Sequence, residues 1–182
     1  MYSQRRVDKL NYGYEILEGD ITLRVAGTIC NSVVNGVGIR DVIFLQGCSH
    51  HCKGCHNPGT WSFNGGTEIG VTALYKQFEN SENNLTISGG EPLLQLDELF
   101  QLLYIFYLNT NKTVWLYTGY RFDDIPIETW RKLNKLGVEV VVDGKFEIDK
   151  KDLTLQFRGS SNQRLIDLNE TLNIGSIVFW ED

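Results

Sequence analysis

The sequence predicts an α/β domain built on a mostly parallel sheet. Three observations carry this. The middle of the chain alternates β-branched runs, loops and helical patterns, the order that makes parallel strands joined by covering helices. The 182 residues, 42% of them hydrophobic, are enough for one sizeable core. Every distinctive loop follows a predicted strand, and in such sheets ligands gather at the carboxyl ends of the strands.

Residues 21–29 alternate loosely between apolar and polar and predict a first strand. Residues 41–45 are β-branched and aromatic, a short buried strand. The loop 46–66 follows, rich in Gly, Cys, His and Asn. Residues 68–79 read as a helix with Ile69, Leu74 and Phe78 inward. Residues 85–88 predict a strand ending in Gly89-Gly90. Residues 95–108 are a strongly apolar helix: Leu96, Leu99, Phe100, Leu103 and Phe106 give it a core face, and Leu102, Ile105 and Tyr107 are further apolar positions that a partner could also meet. Residues 113–117 predict a strand ending in Thr118-Gly119. Residues 126–136 predict a helix, with Pro126 in its first turn and Gly137 as its stop. Residues 138–142 are a continuous β-branched strand ending in Asp143-Gly144, and 153–157, 164–168 and 174–180 are further strand candidates. There is no repeat, low-complexity tract or long linker, so residues 1–182 read as a single domain.

The net charge of −6 argues against nucleic acid as a general partner, because phosphate binding needs a basic surface. The first ten residues are polar and charged with no apolar stretch behind them, so no signal peptide is read. The longest apolar-rich run, 93–108, is interrupted by Gln95, Asp97, Glu98 and Gln101 and is too short for a bilayer core of about 30 Å. The expectation is a cytoplasmic protein with no membrane contact.

Of four cysteines, three fall in the run Cys48-Ser-His-His-Cys52-Lys-Gly-Cys55. A disulfide framework would spread thiols along the chain, whereas clustered thiols in an intracellular protein more often bind metal. Three thiolates on one flexible loop can face one point. A [4Fe–4S] cube usually takes four Cys, so three would leave one iron open to a further ligand. The alternative is a structural zinc site with His as fourth ligand. His50 and His51 would strain to reach it from inside the first spacing, and His56 directly follows a ligand. Cys30 stands apart and is expected to be a small buried residue.

The C-x3-C-x2-C spacing resembles the signature of the radical S-adenosylmethionine superfamily. The longer string from Gly47 and Cys48 through Cys55-His56-Asn57-Pro58-Gly59-Thr60-Trp61 is similar to activating enzymes of glycyl-radical proteins. The resemblance implies that Cys48, Cys52 and Cys55 hold a [4Fe–4S] cluster whose open iron chelates the amino and carboxylate groups of S-adenosylmethionine. One electron from the cluster would then break the sulfur–5′-carbon bond, and the 5′-deoxyadenosyl radical would take hydrogen from the target. Ser88-Gly89-Gly90-Glu91-Pro92-Leu93 resembles the superfamily's G-G-E-P segment, which contacts the methionine amino group. Read from the residues alone, it is equally a strand-to-helix turn with Glu91 favourably placed in a first turn. The resemblance puts Gly54, Cys55, His56, Gly89, Gly90, Glu91, Thr118 and Gly119 at the cofactor.

Asn35-Gly36-Val37-Gly38-Ile39-Arg40 resembles a segment that precedes the cluster strand in these enzymes, with Val37 where Pro is usual; Arg40 need be no more than a surface charge. Leu116-Tyr117-Thr118-Gly119-Tyr120, Val141-Val142-Asp143-Gly144-Lys145-Phe146 and Phe157-Arg158-Gly159-Ser160-Ser161-Asn162-Gln163-Arg164 narrow the resemblance to activases of anaerobic (class III) ribonucleotide reductases. It runs from about residue 28 to 168, leaving 1–26 as an extra N-terminal strand or arm. The implied fold is an incomplete (βα) barrel of the radical S-adenosylmethionine type: a curved, mostly parallel sheet open on one side, with extra terminal strands. The chain is short of the roughly 250 residues of a full barrel. The implied partner is the reductase's large subunit, whose C-terminal glycine loop would receive the radical. Asn35, Arg158, Ser160, Asn162 and Gln163 are candidates to meet that loop, and a low-potential electron donor of unknown identity is required. Activation of another glycyl-radical enzyme, of the pyruvate formate-lyase type, and a non-enzymatic zinc or electron-transfer module are the alternatives.

Overall fold

The computed structural model describes residues 21–181. The expected N-terminal arm lies, up to residue 20, outside the described residues. Seven strands form one sheet: β1 (Thr22–Ser32), β2 (Arg40–Leu45), β3 (Thr67–Gly70), β4 (Asn84–Gly89), β5 (Val114–Tyr117), β6 (Val138–Asp143) and β7 (Arg164–Asp167). Their order is β3-β1-β2-β4-β5-β6-β7. The central four, β2, β4, β5 and β6, are parallel; β1 and β7 run antiparallel to them at the two sides, and β3 pairs antiparallel with β1. The edges β3 and β7 do not pair with each other, so the sheet is open and not a closed barrel.

Four helices connect it: α1 (Val71–Lys76), α2 (Leu96–Asn109), α3 (Ile127–Lys135) and α4 (Leu168–Ile174). Strand side chains alternate between faces, and the alternation sorts the core into two parts. Ile43 and Leu45 of β2, Ile87 of β4, and Val114 and Leu116 of β5 join Leu99, Leu103, Phe106, Trp130 and Leu133 of the helices in the main core. Trp115, Val140, Val142 and Leu165 form a smaller cluster with Tyr117, Phe157 and Trp180, and it contains no helical residue. The helices therefore back one face, and loops alone close the other. The apolar positions of α2 are absorbed by the main core: Leu102 is fully buried, and Ile105 and Tyr107 pack against it. Among the described residues no helix is long and apolar enough to cross a membrane.

Four sequence expectations are corrected. Residues 68–79 do not form one helix: Thr67–Gly70 pairs with Thr22–Val25, Gly70 is extended (φ −59°, ψ 139°), and the helix is only Val71–Lys76. Ladder hydrogen bonds to β1 outweigh local helix preference there, although Leu74 and Phe78 are buried as expected. Residues 153–157 are not a strand. Asp152 accepts from the Thr154 amide and hydroxyl (2.8 and 2.6 Å), a local turn that competes with extension. Leu153 is left 87% exposed, and Phe157 takes φ +58°. Residues 174–180 reduce to a single bridge, Ile166 to Phe179, because Gly175 at φ +81° ends α4 and turns the chain back along β7. Cys30 is also not buried; it lies on the exposed second half of β1.

Candidate functional site

Across the face without helices, Phe44 of β2 pairs in register with Ser88 of β4, and Tyr117 of β5 with Val142 of β6. These residues floor a cavity of about 760 Å³ near the carboxyl ends of the parallel strands. The loops after β2, β4, β5 and β6 supply its upper wall. Cys48, Cys52 and Cys55 all line it, with His56, Gly89, Gly90, Thr118 and Gly119. Asn35, Arg158 and Gln163 line it as well. Gly54, Glu91, Ser160 and Asn162 are not part of the lining.

The cysteine loop is closed at its base by its own backbone. The Gly47 amide donates to Thr60 O (2.8 Å), the Cys48 amide to Trp61 O (3.1 Å), and Gln46 Nε2 to Ser62 O (2.7 Å). Cys52 to Cys55 is a tight turn, with the Cys55 amide on Cys52 O (3.1 Å) and Gly54 at φ +75°. His51 takes φ +50°. That conformation costs an L-residue about 1 kcal/mol and persists only where the surroundings hold it.

Burial pushes the Cys48 thiol up; the backbone amides of His50 and His51 act against this. Burial likewise raises Cys52, opposed by the Phe146 amide and the charge of Lys145. The donor set suits a cluster with one open iron: three thiols share one wall, and a cluster takes thiolates. A lone zinc ion would want a fourth ligand, but His50 Nε2 is engaged by Glu91, while His51 and His56 lie against Trp61 and Phe146 at 4.9 Å each. Among the described residues no three His, Cys, Asp or Glu side chains, Cys48, Cys52 and Cys55 included, stand close enough together to hold a single ion.

Glu91 is fully buried. Its Oε1 accepts from the Thr118 hydroxyl (2.8 Å) and the Leu93 amide (3.0 Å), and its Oε2 from the Gly119 amide and His50 Nε2 (2.8 Å each). The glycines beside it are packed by the chain itself. A Cβ at Gly90 would meet the Gly47 carbonyl, and one at Gly119 would sit 2.6 Å from His50 Nε2.

The segment after β6 holds itself together. Gln163 Oε1 accepts from the Gly159 and Ser160 amides (2.9 and 3.2 Å), and its Nε2 donates to Gly144 O (3.1 Å). Ser160 is fully buried and its hydroxyl accepts from the Glu147 amide (3.2 Å). Arg158 donates to Gln163 O (2.8 Å) and Asn162 to Lys145 O (2.8 Å). Where β1 gives way to a loop, the Ser32 hydroxyl donates to Asn35 Oδ1 (2.7 Å) and that of Thr86 to Asn35 O (2.7 Å). Arg40 is no surface charge. It is buried beneath this loop, stacks 5.4 Å from the Trp115 ring, and donates to Thr86 Oγ1 (2.9 Å) and Leu85 O (2.8 Å). Burial lowers its guanidinium to about 10, against the pull of Glu139.

Trp61, Tyr117, Lys145 and Phe146 also line the cavity; the sequence pointed to the strand-end loop that carries Lys145 and to the string that ends in Trp61, but gave none of these four side chains a ligand role. The signal was available for the last two: Lys145-Phe146 directly follows Asp143-Gly144 at a parallel strand's end.

Residues 34–166 match the family model described as a 4Fe-4S single cluster domain. Over 140 residues the chain is 34% identical to the anaerobic ribonucleoside-triphosphate reductase-activating protein of Pasteurella multocida, covering 72% of this chain and 89% of that one. The chain belongs to this family of activating proteins. The proteins of that name from Escherichia coli (35% over 141 residues, covering 72% and 90%) and Enterobacteria phage T4 (39% over 140 residues, covering 72% and 86%) are also relatives. The 4Fe-4S domain match starts at the rim residue Val34 and ends in β7, so it takes in the cysteine loop and all four parallel strands.

Proposed function

We propose that this chain is an enzyme that activates an anaerobic ribonucleoside-triphosphate reductase by forming a glycyl radical on it, with S-adenosylmethionine as co-substrate. One observation carries the reading: in a chain of this family, the three spaced thiols and the Gly89-Gly90 turn line one cavity. A [4Fe–4S] cluster on Cys48, Cys52 and Cys55 would supply the electron for reductive cleavage of S-adenosylmethionine, leading to hydrogen abstraction from a glycine of the partner.

The chain's own residues bind, orient and exclude water. The turns bearing Gly54-Cys55-His56, Gly89-Gly90 and Thr118-Gly119 would cradle the cofactor, with Lys145 adding positive charge beside Cys52. Asn35 and Arg158, which line the cavity, would face an entering polypeptide loop, whereas Ser160, Asn162 and Gln163 would keep the segment that carries Arg158 in shape. The one-sided open sheet is read as the incomplete barrel of radical S-adenosylmethionine enzymes, its uncovered face admitting a protein substrate. A low-potential donor would reduce the cluster.

The test is anaerobic. The reconstituted chain, a reductant, S-adenosylmethionine and the reductase from the same source should give an EPR doublet on the reductase. Exchanging the reductase's C-terminal glycine for Ala should erase it. Cys48→Ala, Cys52→Ala and Cys55→Ala should each abolish the cluster spectrum, and Cys30→Ala should leave it. A doublet on a formate-lyase-type partner and never on the reductase would overturn the named function.

A further inference from the structure

The carboxylate of Glu91 sits where three loops meet, and all four of its hydrogen bonds go to this chain. Leu93 belongs to its own turn; Thr118 and Gly119 belong to the loop after β5; His50 belongs to the cysteine loop, 41 positions away. Both oxygens are occupied and none of the residue is exposed. The His50 ring is fixed from two further directions. It lies over Gly119, where a side chain would strike it, and stands edge-on to Tyr120 with ring centroids 4.7 Å apart. Glu91's own amide donates to Gly47 O (2.8 Å), just before Cys48. The left-handed backbone of His51 follows directly, so the stretch from Cys48 to Cys52 needs such holding.

We infer that Glu91 is a positioning residue that pins His50, and with it the Cys48–Cys52 spacing, to the loop after β5; it is not the acceptor for the methionine ammonium group that the sequence suggested. The carboxylate takes the His50 Nε2 proton on one oxygen and the Thr118 hydroxyl on the other. One buried group thereby sets the distance between the cysteine loop and the cofactor turns. The inference rests on the proposed function only in taking Cys48 and Cys52 as cluster ligands; the brace itself is a property of the protein without iron.

Cys48 is more than nine-tenths buried, and Cys30 is exposed. Alkylation of Cys48 in the iron-free full chain, followed site by site by mass spectrometry, therefore reports opening of the cysteine loop, and Cys30 is the internal reference. Glu91→Gln keeps the shape but turns a donor toward His50 or Gly119. It should speed Cys48 alkylation about tenfold, the order expected for losing a hydrogen bond to a charged group. His50→Ala should do the same, and the double variant should add no more than about twofold, because both remove one contact. Leu133→Ala, in the main core, controls for general loosening: at equal loss of thermal stability it should leave the ratio of Cys48 to Cys30 rates unchanged. In iron-loaded protein, Glu91→Gln should release iron to a chelator about tenfold faster, while S-adenosylmethionine affinity per remaining cluster stays within about twofold. Unchanged Cys48 alkylation in Glu91→Gln would overturn the brace. So would a tenfold loss of cofactor affinity with cluster lability unaltered and His50→Ala silent. Failure of the unaltered chain to take up iron would instead sink the proposed function, and the alkylation result would stand apart from it.

Discussion

Gly90→Ala isolates a steric requirement of the site. The backbone of Gly90 is not left-handed, so the residue is not needed for its torsion angles. It is needed for space. A Cβ there would lie 2.8 Å from the Gly47 carbonyl carbon and 3.0 Å from Thr60 O, both backbone atoms that no rotamer can move. The Gly47 carbonyl oxygen is closer still; to reach about 3.5 Å from the carbonyl carbon alone, the cysteine loop would have to lift by at least roughly 0.7 Å. That lift strains the bond from the Glu91 amide to Gly47 O, 2.8 Å in the native fold.

Overpacking of this kind costs about 1–3 kcal/mol, and one weakened backbone hydrogen bond about 1 kcal/mol more. The smaller entropy of unfolded Ala returns about 0.4–1 kcal/mol. The net is about 1–3.5 kcal/mol, centred on about 2, which for a chain of this size lowers Tm by roughly 4–8 °C at the centre. Thermal unfolding of the iron-free chain measures it without any cofactor. Gly59→Ala is the matched comparison: it lies in the cysteine loop that Gly90 packs against, its Cβ would meet nothing within 4 Å, and its φ is not positive. It should leave Tm within about 2 °C. If Gly90→Ala melts with the unaltered chain, the loop is not seated on the Gly89-Gly90 turn as described.

Two further perturbations test the frame beneath the site. Arg40→Met removes the donor to Thr86 Oγ1, Leu85 O and Thr113 O inside the fold. It should cost about 3 kcal/mol and lower the urea midpoint by more than about 1 M; a midpoint within experimental scatter of the parent would refute the hub. Asp41 supplies a pH signature. Burial pulls its carboxyl up, but hydrogen bonds from Ser81, Asn83 and the Asn31 amide leave it below its ordinary value. A depressed native value means the unfolded state takes the proton first. The contribution is therefore complete above the ordinary carboxylate value of about 3.9 and is lost as pH falls through the lower native one. Asp41→Asn should flatten the acid limb of stability against pH, and an unchanged limb would refute the assignment.

What was legible in the sequence follows from how each signal arises. Three of the four parallel strands, at 85–88, 113–117 and 138–142, were readable because β-branched, aromatic and apolar residues dominate them. The cysteine loop was readable because its chemistry lies within eight residues. Residues 68–79 and 153–157 were misread because their patterns fit local rules. A strand partner 42 to 48 positions away decided the first, Thr67 pairing with Val25 and Gly70 with Thr22 back along β1, and a turn centred on Asp152 decided the second. Cys30 was misplaced because β1 outruns its partner: β3 covers only Thr22–Val25, and the residues beyond stand exposed. Glu91 was legible only as the acidic residue that opens a helical turn, where it caps the Leu93 amide; its other partners, and those that bury Arg40, were not. They lie on other strands and loops, at separations of 27 to 73 positions, which no local pattern encodes.

The least legible feature is also the one that aims the last loop at the cavity. In an unbroken strand, Val138, Val140 and Val142 would share a face. Here Val138 and Val141 pack in the helix-backed core, while Val140 and Val142 pack with Trp115 on the opposite side. The change of phase comes between the pairs Val114–Val138 and Trp115–Val140, where Glu139 is the extra residue of a bulge. The carboxylate turned out by that bulge is used: its Oε1 accepts from the Thr113 hydroxyl (2.8 Å) and from Trp115 Nε1 (3.1 Å), and it stands 3.8 Å from Arg40. Because a shift of one residue exchanges the faces of a strand, the bulge decides that Val142 joins the cavity floor. It decides with it that Gly144, Lys145 and Phe146 emerge beside the cysteine loop. Glu139, Trp115 and Arg40 thus do at the bottom of the open face what Glu91, His50 and Gly119 do at the top: a buried charge fixes a loop whose place in the sheet sequence alone leaves open.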